Sequence, residues 1–151
     1  GVDDALRRYR AGFTPTAYGS EPRTLLPVNV IVDPDPEIAR RRAQPQLVQM
    51  TELRTRGVVG HQLTVEDAER YEWTGQRRAV AEQMSRSWIV GTPSEVAAEL
   101  RTLADRHGVA ELMLSPTAGA FAAELDDGPG ARAATLELLA AELLERVPSG
   151  R

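Results

Sequence analysis

Residues 88–114 constrain the fold more than any other segment, because they predict a strand, a helix and a second strand joined by tight turns. The apolar residues 88–90 form the first strand. Thr92 then supplies a helix cap, Pro93 suits the first helical position, and Glu95 can bond back to the cap. A strong helix start therefore follows directly after a strand.

The helix that follows is amphipathic and stops at a glycine. Its apolar residues recur at one-face spacing at Val96, Ala97, Leu100, Leu103 and Ala104. Gly108 is expected to end the helix in the left-handed conformation, and residues 109–114 form the next strand. Such a unit with short turns fits a parallel sheet that is covered by helices.

A second apolar run, residues 25–32, is continuous rather than alternating, which predicts a strand buried on both faces. Pro27 is expected near its start, where a missing N–H is tolerated. Asp35 and Pro36 then begin a helix. Pro45 is expected to kink or end that helix.

The long interval 33–87 exceeds the length that one crossover needs, and it predicts a crossover helix plus a helical excursion. Residues 88–147 are expected to form the last two strand–helix units. A loop is predicted at 115–130, and a final helix is predicted to reach Val147 and to end at 148–150.

Composition narrows the class of protein. A chain of 151 residues is expected to form a single domain, 1–151. The net charge of −4 argues against a nucleic-acid partner. Cys is absent, which excludes disulfides, thiolate catalysis and Cys-ligated metals.

No signal peptide and no apolar run near the roughly 20 residues of a membrane span are seen, so we expect a cytoplasmic protein without a membrane partner. Gly1 stands where a natural start would have Met, so residues upstream of it are expected.

Three strands that alternate with helices predict an α/β protein with a parallel sheet, either doubly wound or part of an eight-stranded barrel. The Gly-rich phosphate loop typical of a doubly wound nucleotide-binding sheet does not follow Val32. A complete barrel needs about 250 residues. The chain is therefore expected to be a partial barrel, whose open strand edges would be covered by an absent segment, a second copy or another chain.

Residues 6–15, 26–33, 90–97 and 108–114 form four segments that, in this order, resemble the luciferase-like flavin monooxygenases. Residues 6–15 (LRRYRAGFTP) are similar to the helix that precedes this region in the family, and residues 26–33 (LPVNVIVD) resemble its strand and crossover. Residues 90–97 (VGTPSEVA) resemble the family's VGTPEEVAERL segment, and residues 108–114 (GVAELML) resemble the strand after it. The resemblance implies the carboxyl-terminal portion, about three βα units, of a TIM-type (β/α)8 barrel.

The same resemblance implies part of a flavin-dependent oxidoreductase or monooxygenase. Such enzymes use reduced FMN, or in one branch the deazaflavin F420, with oxygen and a small organic substrate. The family's Ser-rich flavin-phosphate segment lies upstream of the helix that residues 6–15 resemble, so the chain is expected to be incomplete for catalysis alone. Two alternatives stay open: a non-catalytic half-barrel that self-associates as an interaction module, and a fragment of an F420-dependent oxidoreductase.

Three polar residues at or near strand ends are the candidate cofactor-binding residues, and no catalytic residue is identified. Asn29 lies within an apolar strand, where its amide either lines a pocket or is satisfied in the core. Ser115 and Thr117 follow the last strand, where their hydroxyls either contact flavin or substrate or form a simple turn.

The other polar residues have structural interpretations. The helix start at Thr92 can attract anions, but Glu95 would repel them. The arginines at 40–42 are expected to form a solvated helix face. His61 is expected in an exposed loop, and His107 at a helix end, where a cation suits the helix dipole. Two separated histidines without Cys give no metal-ligand pattern.

Overall fold

Three strands and six α-helices make up the part of the chain that the computed structural model describes, residues 1–125 and 130–144. The elements in chain order are α1 (Val2–Gly12), β1 (Leu25–Val32), α2 (Pro36–Arg56), α3 (Val65–Glu69), α4 (Gly75–Ser85), β2 (Trp88–Gly91), α5 (Pro93–His107), β3 (Glu111–Pro116), a short 3-10 helix (Ala122–Glu124) and α6 (Gly130–Leu144). The predicted α/β class and the strand–helix–strand unit at 88–114 are confirmed. The predicted helix end at Val147 and the stop at 148–150 lie outside the described residues.

The sheet is parallel, and its strand order is β2-β1-β3. Three successive units of a barrel would pair in chain order, with β2 in the middle, so the expectation of three consecutive barrel units is wrong. The order 2-1-3 also begins one of the common doubly wound sheets. Each outer strand has one partner among the described residues, so the predicted open edges are present.

The helices lie on both faces of this sheet. Parallel crossovers are right-handed. The connection from β1 to β2 and the connection from β2 back across β1 to β3 run in opposite directions along the sheet, so their helices lie on opposite faces. Accordingly α2 packs on β1 and β2, while α5 and α6 pack together over the opposite face.

The main core lies between the sheet and the α5–α6 layer. Alternate residues of β1 point into it, and α5 and α6 supply the facing side chains. Its buried members are Val28, Val30, Val32, Ile89, Val96, Leu100 and Leu139. A smaller cluster around the fully buried Ile31 lies under α2. The carboxyl-terminal half of β1 is therefore buried on both faces, as predicted.

The amino-terminal half of the same strand differs from the prediction. Leu25 is 51% exposed and Met113, on the neighbouring strand, is 53% exposed, and Pro27 between them is also exposed. Because α2 covers only the carboxyl-terminal half of this face, an apolar part of the sheet has no cover from the described residues. This surface, Leu25, Pro27 and Met113, is called the open face below.

Helix α2 continues through Pro45 to Arg56, so the expectation that Pro45 ends it is wrong. The Asp35 carboxylate caps its start by accepting from the Glu37 N–H at 2.8 Å, and Gly57 ends it with a φ of 69°. The Pro45 ring is buried against Gly119, where an added Cβ would lie 2.4 Å from Cγ of the proline. This contact with the loop after β3 uses the proline as a packing residue.

The predicted helical excursion is present as α3 and α4, which pack against α2. Thr64 caps α3 by accepting from the Asp67 N–H at 3.1 Å, and Thr74 caps α4. Within the described ranges, no helix combines the length and the apolar character needed to cross a bilayer.

Candidate functional site

All three strands end at the same edge of the sheet, here called the carboxyl edge. The segments that leave it begin at Asp33, Thr92 and Thr117. In parallel α/β folds, ligands bind at this edge because the loops that follow the strands meet there. A ligand site is therefore expected at the carboxyl edge.

The three candidate cofactor-binding residues come together near this edge. Asn29 and Ser115 are register partners on β1 and β3, so their backbones lie about 4.8 Å apart and their side chains share one face of the sheet. Thr117 continues the alternation two residues on, and its N–H donates to the Val30 carbonyl at 3.2 Å. The sequence separated these residues by more than 80 positions, and the β1–β3 pairing joins them.

Thr117 is the most unusual of the three. Its side chain is 8% exposed, and its hydroxyl has no hydrogen-bond partner among the described residues. A buried hydroxyl without a partner costs about 1–3 kcal/mol. This arrangement favours an acceptor or donor supplied by another group. Asn29 and Ser115 are half-buried beside it.

A buried ion network crosses the carboxyl edge. The Arg42 side chain, only 12% exposed, donates from Nε to Asp33 at 3.0 Å and from both terminal nitrogens to the Glu124 carboxylate at 2.8 and 2.7 Å. It also donates to the Gly119 carbonyl at 3.1 Å. These hydrogen bonds hold the pKa of the Glu124 carboxyl below its usual value, and raise the pKa of Arg42. The expectation of a solvated arginine at this position is wrong.

The network fixes the loop that carries Thr117. The Gly119 N–H donates to the Arg42 carbonyl at 2.7 Å, and the guanidinium carbons of Arg41 and Arg42 both lie 4.8 Å from the Phe121 ring centre. Glu66 of α3 accepts from the Ala122 N–H at 3.0 Å. Residues 117–124 are thus held by α2 and α3 together. The sequence alone does not indicate which of the three adjacent arginines is buried, because the burial of Arg42 depends on Glu124, 82 residues away.

The helix start beside β2 is already occupied. Glu95 accepts from the Thr92 N–H at 3.0 Å and from the Thr92 hydroxyl at 2.8 Å. The backbone bond is the larger cause of the lowered pKa of Glu95. A second anion would meet this carboxylate, so the capping interpretation is the one that the geometry supports.

The histidines lie apart from the carboxyl edge. His107 is in the last turn of α5, with Nδ1 2.6 Å from the Asp3 carboxylate. His61 lies in an exposed loop, as predicted, and it also lines a cavity beside Tyr71 in the helical excursion, which the sequence did not indicate. Among residues 1–125 and 130–144, no group of three His, Asp or Glu side chains is arranged to hold a metal ion.

The two tryptophans take packing positions. Trp88 begins β2 and packs half-buried against the Ile31 cluster. Trp73 lies edge-on against Tyr71, with ring centres 4.8 Å apart.

Comparison with known proteins shows a fold shared with part of larger chains. Of the chain, 97% superposes on 42% of the MsnO8 chain, determined in its apo form, with a TM-score of 0.68 and 21% identity. A second match, the monooxygenase RslO1 from Streptomyces bottropensis, covers 95% of this chain and 37% of that one, with a TM-score of 0.52 and 24% identity. No protein-family model and no curated protein matches the chain. The chain thus spans less than half the length of both structures.

Proposed function

We propose that this chain is part of a flavin-dependent monooxygenase of the luciferase-like type and supplies one wall of its active site. The observation that carries the proposal is that nearly the whole chain superposes on less than half of two larger chains, one of them a monooxygenase. The resemblance of residues 90–97 and 108–114 to the luciferase-like family points the same way.

In this proposal, β1 and β3 are neighbouring strands of a TIM-type barrel. They pair over six residues, and β2 pairs with the last four residues of β1 on its other edge. The open face would then be covered by the remainder of the barrel. That cover is proposed to come from upstream residues or from another chain.

A bound flavin would supply the redox chemistry, while the protein positions the reactants and excludes water. The described residues fit only part of such a cofactor. Arg42 is occupied by two carboxylates, and the helix start at Thr92 is filled by Glu95, so neither can receive a phosphate. We infer that the phosphate is bound outside this chain, and that Asn29, Ser115 and Thr117 face the flavin ring or the substrate.

Titration of FMN into the 151-residue chain, followed by the flavin fluorescence, tests this division of the site. The proposal expects no saturation at micromolar FMN. The natural gene product, purified from its source, is expected to contain flavin and to consume oxygen with the reduced cofactor. Tight FMN binding by the isolated chain would contradict the claim that its flavin site is incomplete. A natural gene product without flavin would contradict the proposed flavin-dependent function. F420 is the alternative cofactor, and the same purified product distinguishes it by its absorbance.

A second candidate function is a non-catalytic module that self-associates through its sheet. The exposed Leu25 and Met113 and the two open strand edges favour it. Light scattering of the isolated chain tests the module, which a stable monomer would exclude. A homo-oligomer without flavin is compatible with both candidates, and the presence of flavin in the natural gene product then separates them.

A further inference from the structure

A second concave site lies in the helical excursion and shares no residue with the carboxyl edge. It is a cavity of 270 Å³ between the carboxyl-terminal half of α2, the segment before α3, and the start of α4. Its apolar lining includes Val48 and Leu63, and its polar lining includes Glu52, Tyr71 and Arg77. The volume lies near the lower limit for small-molecule sites, about 300 Å³, so a ligand must be small.

The polar floor of this cavity is organised around one carboxylate. Glu52, whose side chain is 17% exposed, accepts a hydrogen bond from the Tyr71 hydroxyl and forms ion pairs with Arg56 at 3.0 Å and Arg77 at 3.3 Å. The Arg77 guanidinium also lies 5.5 Å from the centre of the Tyr71 ring. Two charge-assisted hydrogen bonds, from Tyr71 and Arg56, and the ion pair with Arg77 thus converge on this carboxylate.

This floor carries an excess positive charge at neutral pH. Hydrogen bonding to Tyr71 is the main cause that lowers the pKa of Glu52, so that group is ionised. Burial, followed by the bond to Glu52, raises the pKa of Tyr71 to about 12, so that group is neutral. Two arginines therefore face one carboxylate. The ion pair from Arg77 uses Nε, which leaves its terminal nitrogens to face a further acceptor.

Residues 60 and 61 form part of the cavity lining. Gln49 donates to the Gly60 carbonyl at 3.3 Å, which ties this segment to α2. His61 stands beside the cavity with a flat, polar ring. The lining thus offers one aromatic ring and the apolar side chains of Val48 and Leu63 to the body of a ligand.

We propose that this cavity binds a small organic carboxylate with a flat apolar body. The carboxylate pairs with Arg77 and Arg56, and the body packs on Val48 and Leu63. The charge excess selects an anion, the planar fork of arginine suits a carboxylate, and the volume limits the body to one or two rings. This inference does not depend on the function proposed above.

The test uses the isolated chain and two matched probes, 2-naphthoate and the uncharged 2-naphthalenemethanol. Amide chemical shifts are followed by two-dimensional NMR. Saturable shifts with naphthoate are expected at residues 48–52, 60–63 and 71–77, and binding of the uncharged probe is expected to be at least about tenfold weaker, the effect of one charge-assisted contact. Equal binding of both probes, shifts confined to the open face, or no saturable shift at millimolar naphthoate would each overturn the proposal.

Adjacent arginines provide matched variants. Arg77→Gln is expected to weaken naphthoate binding about tenfold or more, while Arg78→Gln, an exposed neighbour outside this cavity, leaves it unchanged. Arg56→Gln, at a side chain 60% exposed, provides a second variant that preserves the fold if Arg77→Gln does not. Unchanged binding in the folded variants of both cavity arginines would also overturn the proposal.

Discussion

Replacing Arg42 with Met tests whether the buried ion network holds the carboxyl edge together. The change removes four hydrogen bonds, to Asp33, the Gly119 carbonyl and both oxygens of Glu124. Removing one partner of a fully buried pair costs about 3–5 kcal/mol. The side chains of Asp33 and Glu124 are 18% and 34% exposed and can regain water, so we expect about 2–3 kcal/mol.

Thermal unfolding followed by circular dichroism measures this loss. For a chain of this size, each kcal/mol lowers the midpoint by about 2–4 °C, so Arg42→Met is expected to lower it by about 4–12 °C. Arg40→Met is the matched control, since Arg40 lies half a turn away on the same helix and is 59% exposed, and its one ion pair with the residues that the structure describes is to Glu37. Hydrogen exchange at the Gly119 and Ala122 amides is expected to accelerate in Arg42→Met alone. Equal midpoints for the two variants would refute the reasoning.

Three further predictions concern single groups. The pKa of the Glu124 carboxyl is lowered in the folded protein, so its ion pair stabilises the fold above the ordinary pKa of 4.5, and this stabilisation is lost as the pH falls through the folded pKa. The difference in unfolding free energy between the protein and Glu124→Gln should therefore shrink in acid. A difference that grows there would contradict the ion pair. Gly119→Ala places a Cβ 2.4 Å from Cγ of the buried Pro45 and should lower the free energy of unfolding in urea by about 1–3 kcal/mol. Gly60→Ala, with open space around the added Cβ, is the control. Equal urea midpoints for the two variants would show that the close approach is unimportant. Ultraviolet titration should show one tyrosine that ionises near pH 12, and Tyr71→Phe should remove that step; a step that persists in the variant would assign it to another tyrosine.

Much of the secondary structure could be predicted because the relevant signals are local. The start of α5 at Thr92 and its end at Gly108 depend on capping chemistry within a few residues, and the structure has both. The strand order could not be obtained in this way. The strand order depends on whether β3 pairs with the free edge of β2 or with the free edge of β1. No residue near Gly91 or Pro116 indicates which of the two edges β3 joins.

The candidate site was predictable in part for the same reason. Asn29, Ser115 and Thr117 were recognisable from their place near strand ends, and parallel pairing brought them together. The burial of Arg42 was not recognisable, because the carboxylate that neutralises it arrives from a distant loop. The continuation of α2 through Pro45, whose ring packs against Gly119, likewise runs against local propensity.

Native mass spectrometry of the natural gene product, purified from its source with its cofactor, tests the central claim most directly. The account predicts a complex larger than one 151-residue chain, either a longer polypeptide or an assembly, with flavin bound. A single chain of 151 residues that carries flavin by itself would contradict it.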